Sequence, residues 1–143
     1  MPSMRASRAM AVALLVTYWC LGLAGCSQER SPLDGTQWRL AEWSLSSIDP
    51  RDVTITAGFS SGQIAGQSGV NSYGGPYALG PRNSFKVGSL ASTEMAGPEP
   101  LMRAESAYLA LLAQARSYQQ VGDRLTLLDA NGNELLIFVA TRW

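Results

Sequence analysis

The chain has 143 residues, with eleven basic side chains against eleven acidic ones, two cysteines and no histidine. Without an imidazole there is no Ser-His or Cys-His nucleophile pair and none of the usual zinc ligand sets. Without a run of like charge nothing in it tracks a nucleic-acid backbone, so nucleic acid is not an expected partner.

In chain order, Met1 to Cys26 opens with Arg5 and Arg8 and then runs without charge from Ala9 to Cys26. This is the layout of an export signal, with a basic start, an apolar middle and a small-residue cleavage zone. A spanning helix needs about 20 apolar residues. The purely apolar run is shorter than that, and polar sequence follows at once. The cleavage zone, Leu23-Ala24-Gly25-Cys26, resembles the lipobox of bacterial lipoproteins. The resemblance implies cleavage between Gly25 and Cys26, a diacylglycerol on the Cys26 sulfur and an acyl group on its new amine. Each buried methylene contributes about 0.8 kcal/mol and one chain holds only marginally, so several chains would hold firmly.

Cys20 is then removed with the signal and Cys26 is consumed by lipid, leaving no thiol for a disulfide. From Cys26 to Trp143 there are 118 residues, enough for one domain that buries roughly 60–70% of its unfolded surface. The expected organisation is a signal peptide at 1–25, a lipidated cysteine and short tether at 26–32, and a single domain at 33–143. Loss of Arg5 and Arg8 leaves nine basic residues against eleven acidic.

Within the domain, "LDGTQWRLAEWSL" places Trp38 and Leu40 on one parity and Trp43 and Leu45 on the other, which predicts a strand that bulges or bends near Ala41. "VTITAGFS" alternates strictly, with Val53, Ile55, Ala57 and Phe59 on one side, and predicts a half-buried antiparallel strand. "SSGQ" reads as a hairpin turn into "QIAGQSG", whose Gly66 and Gly69 suggest a strongly bent strand. "SYGGPYAL" and "SFKVGSL" are two further short β-like runs. "LTLLDANGNELLIFVA" predicts a hairpin from Leu125 to Val139 with Asn131-Gly132 supplying the positive φ angles of its turn. Its second strand is apolar on both faces and so requires a cover.

The one helical pattern, in "GPEPLMRAESAYLALLAQARS", is the expected cover. Pro100 suits a first turn, Glu99 the positive helix end and Arg116 the negative one. Leu101, Ala104, Tyr108, Leu111, Leu112 and Ala115 form one stripe. Short strands, frequent turns and one helix argue for a mainly β, α+β fold: a small, strongly twisted antiparallel barrel-like sheet with one packed helix.

Chemistry is harder to find. Glu94 and Glu99 are near in sequence, but a glycosidase pair must face across a cleft, and surface acids account for them. A phosphate loop needs a lysine after its second glycine. Gly69 and Gly74 have that spacing, but Gly75 stands in the lysine position and Pro76-Tyr77 leads into strand. The glycines read instead as a corner of the β-structure. At that corner Asn71 either satisfies backbone groups of a bulge or binds something. Tyr73 and Tyr77 share strand parity, which suggests one packed face.

Taken in order, "LDGTQWRL", "ITAGFSSGQIAGQSGVNSYGGPYAL", "LASTEMAGPEPLMRAESAYLALL" and "YQQVGDRLTLLDANGNELLIF" resemble the META domain family, the HslJ-like proteins of bacterial envelopes, from about Leu33 to Val139. The ordered motif comprises Trp38, then Gly69, Asn71, Ser72, Tyr73, Gly75 and Tyr77, then Thr93 and Met95 ahead of Pro98, and Leu125 to Gly132. These are the candidate binding or family-motif residues; no catalytic or metal-binding residue is expected. Many members carry cysteines where this chain has Val70 and Gly97, and the paired loss implies that those two positions face each other.

The resemblance implies a small barrel with one helix, no known catalysis and no cofactor. It also carries associations with envelope stress, heat-shock induction and novobiocin tolerance. The expectation is a non-enzymatic lipoprotein supporting the envelope through contacts with a protein partner. Ser27 after the lipidated cysteine resembles an outer-membrane sorting signal facing the periplasm. The alternatives are a barrel that binds an apolar ligand or drug, and an inhibitor of an envelope hydrolase.

Overall fold

The computed structural model describes residues 31–45 and 47–141. The signal segment, Gly25, Cys26 and the first part of the tether lie outside the described residues. Among those described, the order is β1 (Thr36–Trp43), β2 (Thr56–Ser60), β3 (Gln63–Gln67), β4 (Ser72–Gly80), β5 (Ser84–Val87), β6 (Ala91–Ser92), α1 (Glu99–Gln114), β7 (Ser117–Val121), β8 (Arg124–Leu128) and β9 (Glu134–Ala140). All pairings are antiparallel. The strands run β3-β2-β1-β9-β8-β7-β5-β4, and β4 returns to pair with β3. Eight strands therefore close into a barrel, with the two-residue β6 attached at the start of β4. This is the expected mainly-β barrel with one helix.

The alternating patterns dictate which side chains fill it. Val53, Ile55, Ala57 and Phe59 are all buried, and Trp38 and Leu40 join them from β1. The β1–β9 register slips between Leu40 and Glu42, so the strand bulges at Ala41, and Trp43 returns opposite the buried Leu136. An extra residue at Ala41 resolves the change of parity in the sequence without breaking the strand.

Turn chemistry differs between the two hairpins. The β2–β3 connection has φ of 51° at Ser61 and 75° at Gly62, two positive values in succession as a type I′ turn requires. In the β8–β9 connection only Gly132 is positive, at 84°, and Asn131 is not, contrary to expectation. A longer loop forms there because the Asp129 carboxylate accepts the backbone N–H groups of Asn131 and Asn133 and the Asn133 side-chain amide. This local network sets the loop's conformation in place of successive positive φ angles.

β2 and β3 approach closely where Gly66 crosses Thr56. A Cβ at position 66 would sit 2.1 Å from the Thr56 carbonyl oxygen, so the strands meet there only because the side chain is absent. Gly66→Ala is expected to cost about 1–3 kcal/mol, since backbone and not a pliable side chain must move. A lowered urea midpoint at unchanged slope is the signature; an unchanged midpoint would mean that β2 and β3 do not approach this closely.

The seam between β5 and β7 is held by a single residue pair, Ser84 and Ser117, together with a 2.9 Å bond from the Phe85 N–H to the Arg116 carbonyl. Helix α1 ends immediately before this point. Its apolar stripe behaves as expected, with Ala104, Tyr108, Leu111 and Leu112 buried, and the Arg116 guanidinium donates to the Ala113 and Ala115 carbonyls at 2.8 Å. The helix does more than lie on the sheet. Tyr108, fully buried, reaches the inward residues of the barrel, with its ring edge-to-face against Tyr73 and Phe138. Strand β7, polar apart from Tyr118 and Val121, has no alternation to announce it and forms because β8 pairs along its whole length.

Candidate functional site

The glycine-rich corner between β3 and β4 sits against the helix. Gly69 has φ of 127°, and a Cβ there would lie 3.3 Å from the Leu101 carbonyl and 3.4 Å from Val53 Cγ1. A glycine is thus needed both for backbone conformation and for close approach. The corner is closed by the Ser68 N–H donating to the Asn71 carbonyl at 2.8 Å.

Asn71 is the hub, and it is buried. Its backbone N–H donates to Glu105 Oε2 at 2.7 Å, and its side-chain Nδ2 donates to Glu105 Oε1 at 2.8 Å and to the Met95 carbonyl at 3.1 Å. Its Oδ1 accepts from Thr93 Oγ1 at 2.8 Å and from the Met95 N–H at 2.7 Å. One amide thereby uses all of its bonding capacity and joins three segments: the β-corner, the 93–95 strap and α1. Ser68 Oγ stands 2.8 Å from Glu105 Oε2 and 2.9 Å from the Asn71 carbonyl, and its single proton serves one of them at a time.

Glu105 is a buried carboxylate whose assigned donors, from Ser68, Val70 and Asn71, are all neutral. Burial alone pushes its pKa up. The hydrogen bonds from Asn71, Ser68 and the Val70 backbone outweigh that and hold it below the usual glutamate value. Sequence reading did not single out Glu105. The signal available was its position, four residues after Leu101 and three before Tyr108, which puts a charge on the helix's apolar stripe.

Beside this latch, the Tyr73 and Tyr108 hydroxyls are 2.6 Å apart, and Tyr73 also donates to the Thr56 carbonyl at 2.9 Å. Burial raises both phenols well above the ordinary tyrosine pKa, so they stay neutral. Tyr77 is buried on the same strand face, edge-to-face with Phe59 at 5.0 Å. Gly75 admits the Ser89 carbonyl, which a Cβ would meet at 2.5 Å. Among the described residues no buried side-chain nitrogen or oxygen lacks a partner.

The motif residues therefore divide. Asn71, Tyr73 and Tyr77 face inward, whereas Ser72, Thr93 and Met95 are exposed, Met95 by 57%. Val70 and Gly97 do face each other: a Cβ on Gly97 would lie 3.4 Å from Val70 Cβ and 2.5 Å from its Cγ2. Elsewhere, the Trp43 indole N–H donates to the Ile48 carbonyl at 2.8 Å and frames an open depression of roughly 700 Å³ bordered also by Leu45, Pro50 and Arg51.

Comparison with known proteins agrees with this architecture. The META domain family model matches residues 31–142, and the chain belongs to the META domain family. An NMR structure of a protein from Burkholderia xenovorans is similar at 25% identity and a TM-score of 0.66, covering 100% of both chains. A second NMR structure matches at 18% identity and TM-score 0.58, over 75% of this chain and 90% of that one. The fold is shared with a DUF4847 family protein from Bacteroides vulgatus, at 12% identity and TM-score 0.57, over 78% of this chain and 96% of that one. No curated protein matches.

Proposed function

We propose that this META-domain protein is a non-enzymatic lipoprotein of the bacterial cell envelope, anchored through Cys26, that supports envelope integrity under stress or antibiotic challenge through contacts with a protein partner. The observation that carries the reading is the order Leu23-Ala24-Gly25-Cys26, a few polar residues, and a domain already fastened at Ser31. The Ser31 carbonyl accepts the Asp34 N–H at 2.9 Å, and its hydroxyl accepts from Tyr77 at 3.1 Å. The inward polar groups of the family motif are spent on one another, which assigns Asn71 and Glu105 to the scaffold and leaves the surface for contacts.

Cys26→Ser is expected to move the protein from the membrane pellet to the soluble fraction. Sedimentation with membranes after a high-salt wash would count against the lipid anchor. A photocrosslinker at exposed Met95 tests the partner, since a discrete adduct in cells would name it. Binding of an apolar ligand is the second reading, favoured only by the Trp43 depression, because Trp38, Phe59, Phe85, Tyr108 and Phe138 occupy the interior.

A further inference from the structure

The N-terminal segment marks one end of the barrel. Gly35 donates to the Phe59 carbonyl and the Asp34 carboxylate accepts the Ser61 N–H, which ties the segment to the β2–β3 hairpin. Ala140 donates to the Asp123 carbonyl and Thr141 to the Gln37 carbonyl, which brings the β7–β8 hairpin and the end of β9 to the same place. At the other end lie the Asn71–Glu105 latch, the Trp43 depression and the 129–133 loop. Strand β1 alone separates the two ends by roughly 20 Å at about 3.3 Å per residue.

Val121 stands at the near end, 76% exposed, beside a two-residue turn whose first residue, Gly122, has φ of 59°. It heads a row across four strands: Val121 pairs with Arg124, Arg124 with Val139, and Val139 with Arg39. Residues paired directly across strands share a face, and all four of these are exposed, Val139 by 40%. The row alternates an apolar side chain with a long cationic one, the combination that seats at a lipid headgroup boundary, where Arg stems lie along apolar surface and their charges reach phosphate. Two carboxylates share this end: Asp34, engaged with Ser61, and Asp123 at the turn. The exposed Glu42 carboxylate meets Arg124 at 3.5 Å, so Arg39 is the row's cation without a carboxylate partner among the described residues.

The tether decides what this row meets. Five residue steps separate Cys26 from the fastened Ser31, and at no more than about 3.6 Å each they reach roughly 18 Å. In a chain anchored through Cys26 that reach keeps the near end within roughly 18 Å of the bilayer and leaves the far end beyond it.

We propose that the Val121–Arg124–Val139–Arg39 row is the membrane-contacting face of the anchored protein, with Val121 entering the headgroup region and the Trp43 depression and the 93–95 strap directed away from the lipid. The inference rests on the lipoprotein reading of Cys26. Two valines and two arginines do not hold a protein on a membrane unaided; the anchor keeps them there at high effective concentration.

The mature chain has no thiol other than the lipid-bearing Cys26, so a single introduced cysteine takes a nitroxide label cleanly. Val121→Cys and, as a control at the far end, Asn131→Cys are labelled in full-length lipoprotein purified from membranes and reconstituted into vesicles of phosphatidylethanolamine and phosphatidylglycerol. Power saturation should show the label at 121 more accessible to oxygen and several-fold less accessible to a polar nickel chelate than the label at 131. Equal accessibility at both sites, with the protein floating with the vesicles, would overturn the orientation and leave the anchor standing. Dipolar broadening between labels at 121 would assign the row to a second copy of the chain and overturn it as well. Failure of the unmutated protein to float with vesicles would overturn both the orientation and the anchor.

Discussion

Glu105→Ala should destabilise the domain by about 3–5 kcal/mol. The substitution leaves the Asn71 N–H, one Asn71 Nδ2 hydrogen and the Val70 N–H without their acceptor, while the Ser68 hydroxyl can turn to the Asn71 carbonyl, and each buried unsatisfied donor costs about 1–3 kcal/mol. Urea unfolding of the Cys26→Ser protein measures this, and a loss under about 1 kcal/mol would mean that water replaces the carboxylate without penalty. Glu105→Gln isolates the charge. Because the folded carboxyl lies below its ordinary value of 4.5, its ionisation stabilises the fold above that pH, and the contribution is lost as pH falls through the depressed folded value. Wild-type stability should therefore drop below about pH 4.5 more steeply than that of Glu105→Gln. Parallel pH profiles would remove Glu105 from the acid response.

A disulfide introduced by Val70→Cys with Gly97→Cys should stabilise the domain by about 3–4 kcal/mol, the loop-entropy value for a closed loop of roughly 28 residues. The geometry is close to what a bridge needs: the Cβ positions fall 3.4 Å apart, against about 3.5–4.5 Å in disulfides. The single variant Gly97→Cys should do the opposite, since its Cβ strikes Val70 Cγ2 at 2.5 Å, so the two changes are strongly non-additive. In the Cys26→Ser background, oxidation should raise Tm by roughly 10–15 °C and a reductant should reverse it. Two titratable thiols persisting after oxidant would show that the side chains do not meet. In this chain the Val70 isopropyl group packed against the bare Gly97 backbone fills the space a bridge would occupy.

Those two sites show where sequence reading succeeds and where it stops. The strand Thr56–Ser60 was legible because strict alternation marks a strand with one wet face, although Val53 and Ile55, buried in the same alternation, precede the strand, Val53 capping a 3-10 turn at 50–52 and Ile55 making an isolated bridge to Ser68; the parity change at Ala41 was legible as a bulge for the same reason. The Val70–Gly97 contact was legible only through the resemblance, because nothing local links positions so far apart in the chain. The latch was half legible. Asn71 announced itself as a polar residue in a glycine-rich corner, but its acceptor comes from a helix 34 positions later, and a glutamate in a helix ordinarily reads as surface. Strand β7 was missed because Ser117-Tyr118-Gln119-Gln120-Val121 carries no period of its own; pairing with β8 imposes its conformation. The turn carrying Asn131-Gly132 was over-read only in its dihedral angles: Gly132 alone takes a positive φ, because the Asp129 carboxylate holds the loop in another conformation.

The pairing of β1 with β9 has a consequence for how the molecule comes into being. The first described strand cannot be flanked on both sides until the last one exists: Trp38 waits for Ala140, and Leu40 for Phe138. Until residues 134–140 are available, β1 presents an open edge of unpaired amides on that side, and the sheet grows through chain-neighbouring pairs, β1 to β5 and separately β7–β8, without closing. A chain that emerges from its N-terminus would thus stay open until its last strand is out, vulnerable in that interval to any chaperone or protease that reads exposed strand edges.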